Sequence, residues 1–333
     1  MQATMTAQRV QRPFGEMLTL FEEHFKTLQL PAQPETLYGS IEYICSIGGK
    51  RVRPVLCLMA NELFTELKDD AFRAGSAIEL FHTFSLVHDD IMDRAPIRRG
   101  MPTIHARYGE PTAILAGDLL LIHAYGNLGS ISHCCKDQII ELFSSTASGI
   151  CEGQQIDMDF EAMPIWKVRY EDYLEMVILK TSILLAASLQ IGAILAGASE
   201  ADQHHLYEFG KYVGVAFQIQ DDYLDVFGSD EKFGKQCGGD IKSNKKTFLL
   251  LKAFELASAR QRRQLETLMA TDHQDKVMEM TRLYEECRVG EWARNQKRYF
   301  HQLAFSHLDK MLLPASAKRP LTELADWLLA REY

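Results

Sequence analysis

Two copies of one acidic pentapeptide, Asp89-Asp90-Ile91-Met92-Asp93 and Asp221-Asp222-Tyr223-Leu224-Asp225, hold the residues best suited to chemistry in this chain. In a helix the first and fifth positions of D-D-x-x-D lie four residues apart, so Asp89 and Asp93 share a face, as do Asp221 and Asp225. Like charges at that spacing repel by about 0.2–0.5 kcal/mol per pair. Solvated acidic helix ends would account for one such cluster. Two matched clusters, each closing an apolar, helix-patterned run, point instead to divalent cations. Hard carboxylate oxygens without an accompanying His or Cys set suit magnesium, which takes few protein ligands and shares its shell with substrate phosphates.

Cations stand beside glycines or near these acids in four places. Gly48-Gly49-Lys50-Arg51-Val52-Arg53-Pro54 combines a permissive backbone with basic side chains, a phosphate cradle without Walker spacing. Arg98-Arg99-Gly100 follows the first acidic cluster, Lys180-Thr181 interrupts an apolar run, and Lys235, Lys245 and Lys246 follow the second cluster. Each could be a solvated basic surface. Taken with the acids, they describe a site for polyanionic phosphates held partly through magnesium and partly directly. The strand-to-helix glycine loop of a nucleotide site is missing. Apolar helices behind the clusters suggest a greasy substrate with a phosphate head.

The elements that must position these groups are helices. Apolar residues recur at helical spacing over 53–67 and 71–88, and further helical segments are expected at 14–28, 111–128, 137–159, 171–196, 201–227, 246–256, 258–269, 274–303 and 321–331. Two long polar loops, 94–107 and 228–245, each follow a D-D-x-x-D and have the length of functional lids. No linker breaks the chain, so residues 1–333 are expected to form a single all-α domain. The apolar run 176–197 is long enough for a membrane span, but Lys180, Ser182, Ser188 and Gln190 favour a buried central helix.

Composition narrows the partners. A net charge of −9 argues against nucleic acid as a general ligand. Seven cysteines without a C-x-x-C pair suggest neither a disulfide framework nor a zinc site, and read as thiols of a reducing cytosol. The N-terminal residues have no apolar run of signal-peptide length, so a cytoplasmic location is expected.

The ordered motifs resemble those of the trans-isoprenyl diphosphate synthases, the polyprenyl synthetase family. Gly49-Lys50-Arg51-x-Arg53-Pro54, Asp89-Asp90-x-x-Asp93-x-x-x-x-Arg98-Arg99-Gly100, Lys180-Thr181, Phe217-Gln218-x-x-Asp221-Asp222-x-x-Asp225, Gly239-Asp240 and Lys245 occur in the family's order, over roughly residues 38 to 250. The resemblance implies a large helical bundle of the isoprenoid synthase type around a deep central cavity, and a homodimer. It implies magnesium, with three ions, and head-to-tail condensation of isopentenyl diphosphate with an allylic diphosphate (dimethylallyl, geranyl or farnesyl).

By position, Lys50, Arg53, His82 and Arg99 would hold the diphosphate of isopentenyl diphosphate. Asp89, Asp93 and Asp221 would be the chief magnesium ligands, with Asp90, Asp222 and Asp225 in support. Arg98, Lys180, Lys235 and Lys245 would bind the allylic diphosphate, while Thr181 and Gln218 face the developing carbocation. Gln154, Gln155 and Asp157 would form a supporting polar patch. On residue type alone, His82 reads equally as a hydrogen-bonded core histidine, and Gln218 as an ordinary helix polar residue. Phe84 and Ser85, about one turn before Asp89, and Phe81, about two turns before it, would form the floor that limits product length. The Phe84/Ser85 pairing is closer to enzymes making the twenty-carbon geranylgeranyl product than the fifteen-carbon farnesyl one. A class I terpene cyclase would not need the Gly48–Pro54 cradle, and a non-catalytic partner subunit would not need both acidic motifs.

Overall fold

Apolar positions at helical spacing form helices almost wherever the sequence repeats them. A computed structural model of the chain describes residues 11–228, 238–271 and 274–330. Its early helices are α1 (Phe14–Phe25), α2 (Glu35–Ser46), α3 (Val52–Glu62), α4 (Asp69–Met92), the short α5 (Ile104–Tyr108), α6 (Glu110–Gly129) and α7 (Lys136–Ala162). The later ones are α8 (Tyr170–Val177), α9 (Ile183–Leu195), α10 (Glu200–Phe227), the short α11 (Gly239–Lys242), α12 (Phe248–Leu256), α13 (Ala259–Ala270), α14 (Lys276–Glu286), α15 (Val289–Lys310) and α16 (Ala315–Leu329). The only strands among the described residues, β1 (Ile97–Arg98) and β2 (Met101–Pro102), form an antiparallel hairpin with Arg98 opposite Met101. The expected all-α fold is what forms.

Three departures from the sequence reading have local causes. The segment expected as one helix over 274–303 is broken, because Arg288 itself, rather than the nearby Gly290, enters the left-handed region (φ 56°) between α14 and α15. The expected helix over 171–196 contains a π-helical turn, Ile178–Ser182, between α8 and α9. Residues 94–107 are not a bare loop, since the hairpin and the start of α5 occupy them. Helix α2 was not expected at all.

The chain packs as two compact units. One comprises Met1–Ser144, Ala187–Tyr207 and Leu312–Leu321. Its core is built on α3, α4 and α6. Helix α4 is apolar on most of its circumference, burying Ala74, Ala77, Ile78, Phe81, Phe84 and Val87, as a helix enclosed by neighbours must. Helix α6 packs on it, with Gly117 against the His88 ring and Ala113 and Ala116 buried beside it. The other unit comprises Ser145–Ala186, Glu208–Met311 and Thr322–Tyr333. Its core gathers Tyr173, Met176 and Val177 of α8, Val215, Ala216 and Ile219 of α10, Phe248 to Leu251 of α12, and Leu283 and Tyr284 of α14. The first acidic cluster belongs to the first unit and the second to the other. The one helical stretch among the described residues long and apolar enough to cross a membrane, Tyr170–Leu195, is mostly buried inside the protein.

Candidate active site

In the first unit, a cation basin forms around the loop before α3. The loop turns through Gly48 (φ 81°) and Gly49, and Arg51 caps α3 in the left-handed region (φ 47°). A Cβ on Gly49 would lie 2.6 Å from Arg99 Nη1. Glycine therefore lets the Arg99 guanidinium settle on the loop, where it donates to the Gly48 carbonyl. Arg53, in the first turn of α3, donates from Nη1 to His82 Nε2 of α4 at 3.2 Å. That bond makes Nε2 an acceptor and His82 neutral. Burial drives the His82 pKa well below 6.5, and the charges of Arg53, Arg99 and Arg98 push it further the same way. Burial, then Arg99, likewise bring Arg53 down to about 10. Cations that depress one another in this way are short of an anion. Lys50 is exposed on the same loop.

The sequence reading missed Glu79, which lies behind this basin. Its buried carboxylate accepts from Arg51 Nη1, while Arg51 Nη2 donates to the Cys45 carbonyl at 2.7 Å. The signal was its place three residues before His82, on the same face of α4.

The first acidic cluster closes α4. Asp90 is almost fully buried (2% exposed) and receives Arg98 Nε at 2.9 and 2.8 Å on its two oxygens; Arg98 Nη2 lies 3.4 Å from Asp89 Oδ2. Burial works against the charge of Arg98, but the bond to Asp90 keeps its pKa raised. Arg98 thus locks the β-hairpin to the cluster. Asp93, at the helix end, is exposed, and its N–H donates to the Asp89 carbonyl at 2.8 Å. Beneath the cluster Phe84 packs on His88 (ring centroids 4.8 Å apart) and on Phe81 (5.5 Å), and Phe81 meets Phe143 of α7 (5.3 Å). Tyr125 of α6 stands edge-on to Phe143 at 5.3 Å. Phe143 and Tyr125 come from other helices, so spacing along α4 could not have revealed them. The Ser85 hydroxyl bonds back to the His82 carbonyl at 2.8 Å.

In the second unit the π-helical turn presents Lys180 and Thr181. Lys180 Nζ pairs with Asp157 Oδ2 of α7 at 2.7 Å, and the Gln155 amide donates to Asp159 on the same helix. Thr181 Oγ1 donates to Gln218 Oε1 of α10 at 3.4 Å, Gln218 Nε2 donates to Asp222 Oδ1 at 2.8 Å, and the Tyr173 hydroxyl donates to Asp222 Oδ2 at 2.5 Å. A polar chain thus runs from the turn to the acidic cluster. Tyr173 was missed; it precedes Lys180 and Thr181 by seven and eight residues, which is helical spacing.

Asp225 accepts the backbone N–H groups of Gly239 (3.2 Å) and Asp240 (3.0 Å) and so fastens α11. Burial, then the charge of Asp240, raise the Asp222 pKa to about 7, against the pull of its hydrogen bonds and of Lys245. Lys235 lies outside the described residues.

Both acidic clusters fit a hard dication. Each sits at the C-terminal end of its helix, where the macrodipole is negative, and neither last turn contains a basic residue. Asp90, Asp222 and Asp225 already accept bonds from the protein, which suits them to holding the clusters in shape.

Helices that end in carboxylates, with a partly buried arginine basin behind one of them, define an all-α enzyme of diphosphate chemistry. The chain belongs to the polyprenyl synthetase family, whose model matches residues 34–287. It is 36% identical over 99% of its length to the whole of a short chain isoprenyl diphosphate synthase from Methanothermobacter thermautotrophicus. It is 37% identical to a geranylgeranyl diphosphate synthase from Methanosarcina mazei, covering 90% of this chain and 91% of that one. The crystal structure of a geranylgeranyl pyrophosphate synthetase from Pyrococcus horikoshii superposes with a TM-score of 0.88 at 33% identity, over 96% of this chain and 98% of that one.

Proposed function

We propose that the chain is a magnesium-dependent trans-prenyltransferase that condenses isopentenyl diphosphate with allylic diphosphates to a short-chain product. The observation that carries this reading is the pairing of two chemistries within one family fold. One is a partly buried basin in which Arg99 depresses Arg53 and both depress the neutral His82; the other is a pair of carboxylate clusters at helix C-termini.

Lys50, Arg53, His82 and Arg99 hold the diphosphate of the nucleophile, and neutral His82 donates to it through Nδ1. Asp89, Asp93 and Asp221 are the magnesium ligands, supported by Asp90, Asp222 and Asp225. When bound, magnesium neutralises the allylic diphosphate and makes it a leaving group. Lys180, Lys245 and Lys235 add direct positive charge. The allylic C–O bond breaks and diphosphate leaves with the electron pair. The oxygens of Thr181 and Gln218 stabilise the cation with little reorganisation, because Thr181 is held by its bond to Gln218 and Gln218 by its bond to Asp222. The double bond of isopentenyl diphosphate then attacks, a C–C bond forms, and the released pyrophosphate takes the proton.

Product length is set below the first cluster by Phe84, Ser85 and Phe81, backed by Phe143 and Tyr125. We assign geranylgeranyl diphosphate as the main product, with farnesyl diphosphate next. The enzyme works as a cytoplasmic homodimer, a reading supported by the apolar face of α6, where Ile114, Leu115 and Ile122 are 42%, 56% and 64% exposed.

The test is incubation with magnesium, isopentenyl diphosphate and each allylic primer, followed by sizing of the products. A C20 product is expected. Asp89→Ala and Asp221→Ala should each lower turnover by roughly 10²-fold or more while circular dichroism stays unchanged. Elongation of no primer by the folded wild-type protein would refute the reading.

A further inference from the structure

Three guanidinium groups, of Arg51, Arg53 and Arg99, and a neutral histidine crowd the first unit's basin, and the carboxylate facing them is Glu79. Its geometry is unlike that of a surface ion pair. Glu79 and Arg51 side chains are 4% and 7% exposed. One Glu79 oxygen takes Arg51 Nη1; the other, Oε2, is buried and has no hydrogen-bond partner among the described residues, and the same is true of Arg53 Nε. Arg51 is pinned further by the Cys45 carbonyl and lies over the Phe25 ring, with its Cζ 5.4 Å from the centroid.

Two parallel links therefore join the start of α3 to one face of α4: Arg51 to Glu79, and two residues on, Arg53 to His82 one turn further along. Glu79 fixes Arg51, and with it the left-handed turn from which Lys50 and Arg53 project. Its charge also acts on Arg53 and Arg99, favouring their charged forms against burial.

We propose that Glu79 is a positioning residue for isopentenyl diphosphate: it holds the arginine basin in its diphosphate-binding arrangement without touching the substrate. The inference rests on the assignment of Lys50, Arg53, His82 and Arg99 to that diphosphate. It makes a prediction whose sign separates it from simple electrostatics. Removing a negative charge near a polyanion should tighten binding by Coulomb's law. Removing a positioning carboxylate should weaken it, because the buried Arg51 guanidinium left without its counter-charge, and the partly buried Arg53 beside it, move apart.

Steady-state kinetics on the full-length enzyme decide between these. For Glu79→Gln, at saturating geranyl diphosphate, KM for isopentenyl diphosphate should rise about 10- to 100-fold, the usual cost of removing a partner that orients a ligand-holding group. The value of kcat should stay within about threefold, with KM for geranyl diphosphate unchanged. Glu79→Asp, which keeps the charge on a shorter side chain, should fall between wild type and Glu79→Gln. An unchanged or lowered KM for isopentenyl diphosphate overturns the proposal. So does a parallel change in both KM values and kcat, the mark of general damage. Should Glu79→Gln not be recovered folded, Glu79→Asp decides: a selective rise supports positioning, and a wild-type KM refutes it. Arg99→Ala is the control for the underlying assignment. If it leaves KM for isopentenyl diphosphate unchanged in an otherwise active enzyme, the diphosphate has been placed in the wrong basin, a failure distinct from that of Glu79 alone.

Discussion

His82 is neutral because every influence on it acts in one direction. Burial disfavours the imidazolium, and the neighbouring guanidiniums repel it. The unfolded chain, where a histidine titrates near 6.5, therefore binds the extra proton more readily than the folded one. Stability from this residue is fully present above that pH and is lost as pH falls below it. Glutamine keeps an amide acceptor without titrating. The stability gap between wild type and His82→Gln, taken from urea midpoints, should therefore narrow between about pH 7.5 and about pH 5.5. A gap that stays constant or widens would contradict a depressed His82 pKa. At this scale the sequence identifies residue types well and their partners poorly. Asp90 and Arg98 are eight residues apart, and only the reversal past the end of α4, where Arg94 takes the left-handed region (φ 51°), makes them a pair. Glu79 reads as one polar position on an apolar helix until α3 is placed against it.

Helix α7 meets the π-helical turn at Gly153. A Cβ there would lie 2.5 Å from the backbone nitrogen of Lys180 and 2.8 Å from Leu179 Cβ, groups that cannot swing away. Two effects compete in Gly153→Ala. Helix propensity would favour alanine by about 1 kcal/mol, whereas overpacking against backbone costs about 1–3 kcal/mol. Contact with main chain rather than a flexible side chain decides for the clash, so net destabilisation is expected. Lys180 and Thr181 sit on the displaced turn, and turnover should fall on the order of 10²-fold, the scale of a 1 Å misplacement of catalytic groups. A variant more stable than wild type, with unchanged kcat, would mean that α7 does not brace the turn. Such turns are hard to read in advance. The apolar pattern over 171–196 predicts a helix, and one extra residue in a turn leaves that pattern nearly intact. The break at Arg288 escaped for a similar reason, since an arginine in the left-handed region leaves no mark in composition. Helix α13, by contrast, announces its start with Ser258, whose capping box with Gln261 contributes about 1 kcal/mol.

At the scale of the molecule, the order of the motifs is enough to indicate the family, because so many separate motifs in one succession along the chain are hard to arrive at by chance. What one sequence cannot display is the surface a second copy would cover, since an apolar residue on a helix face has the same letter whether it packs inward or outward. Helix α6 makes the distinction. Its inner face buries Ala113, Ala116, Leu120 and Ala124, while Ile114, Leu115 and Ile122 lie on the exposed side at spacings of seven and eight residues, two helical turns. A 20-residue helix is about 30 Å long, enough to form the spine of an interface of roughly 800 Å² per partner. Placing charge there should be tolerated by the monomer and not by the dimer. Leu115→Asp combined with Ile122→Asp is expected to halve the mass measured by sedimentation while leaving helix content unchanged, because both side chains are already largely in water. Wild-type protein that sediments as a monomer, or a variant that keeps the wild-type mass, would leave α6 without a role in assembly and require another cover for its apolar face.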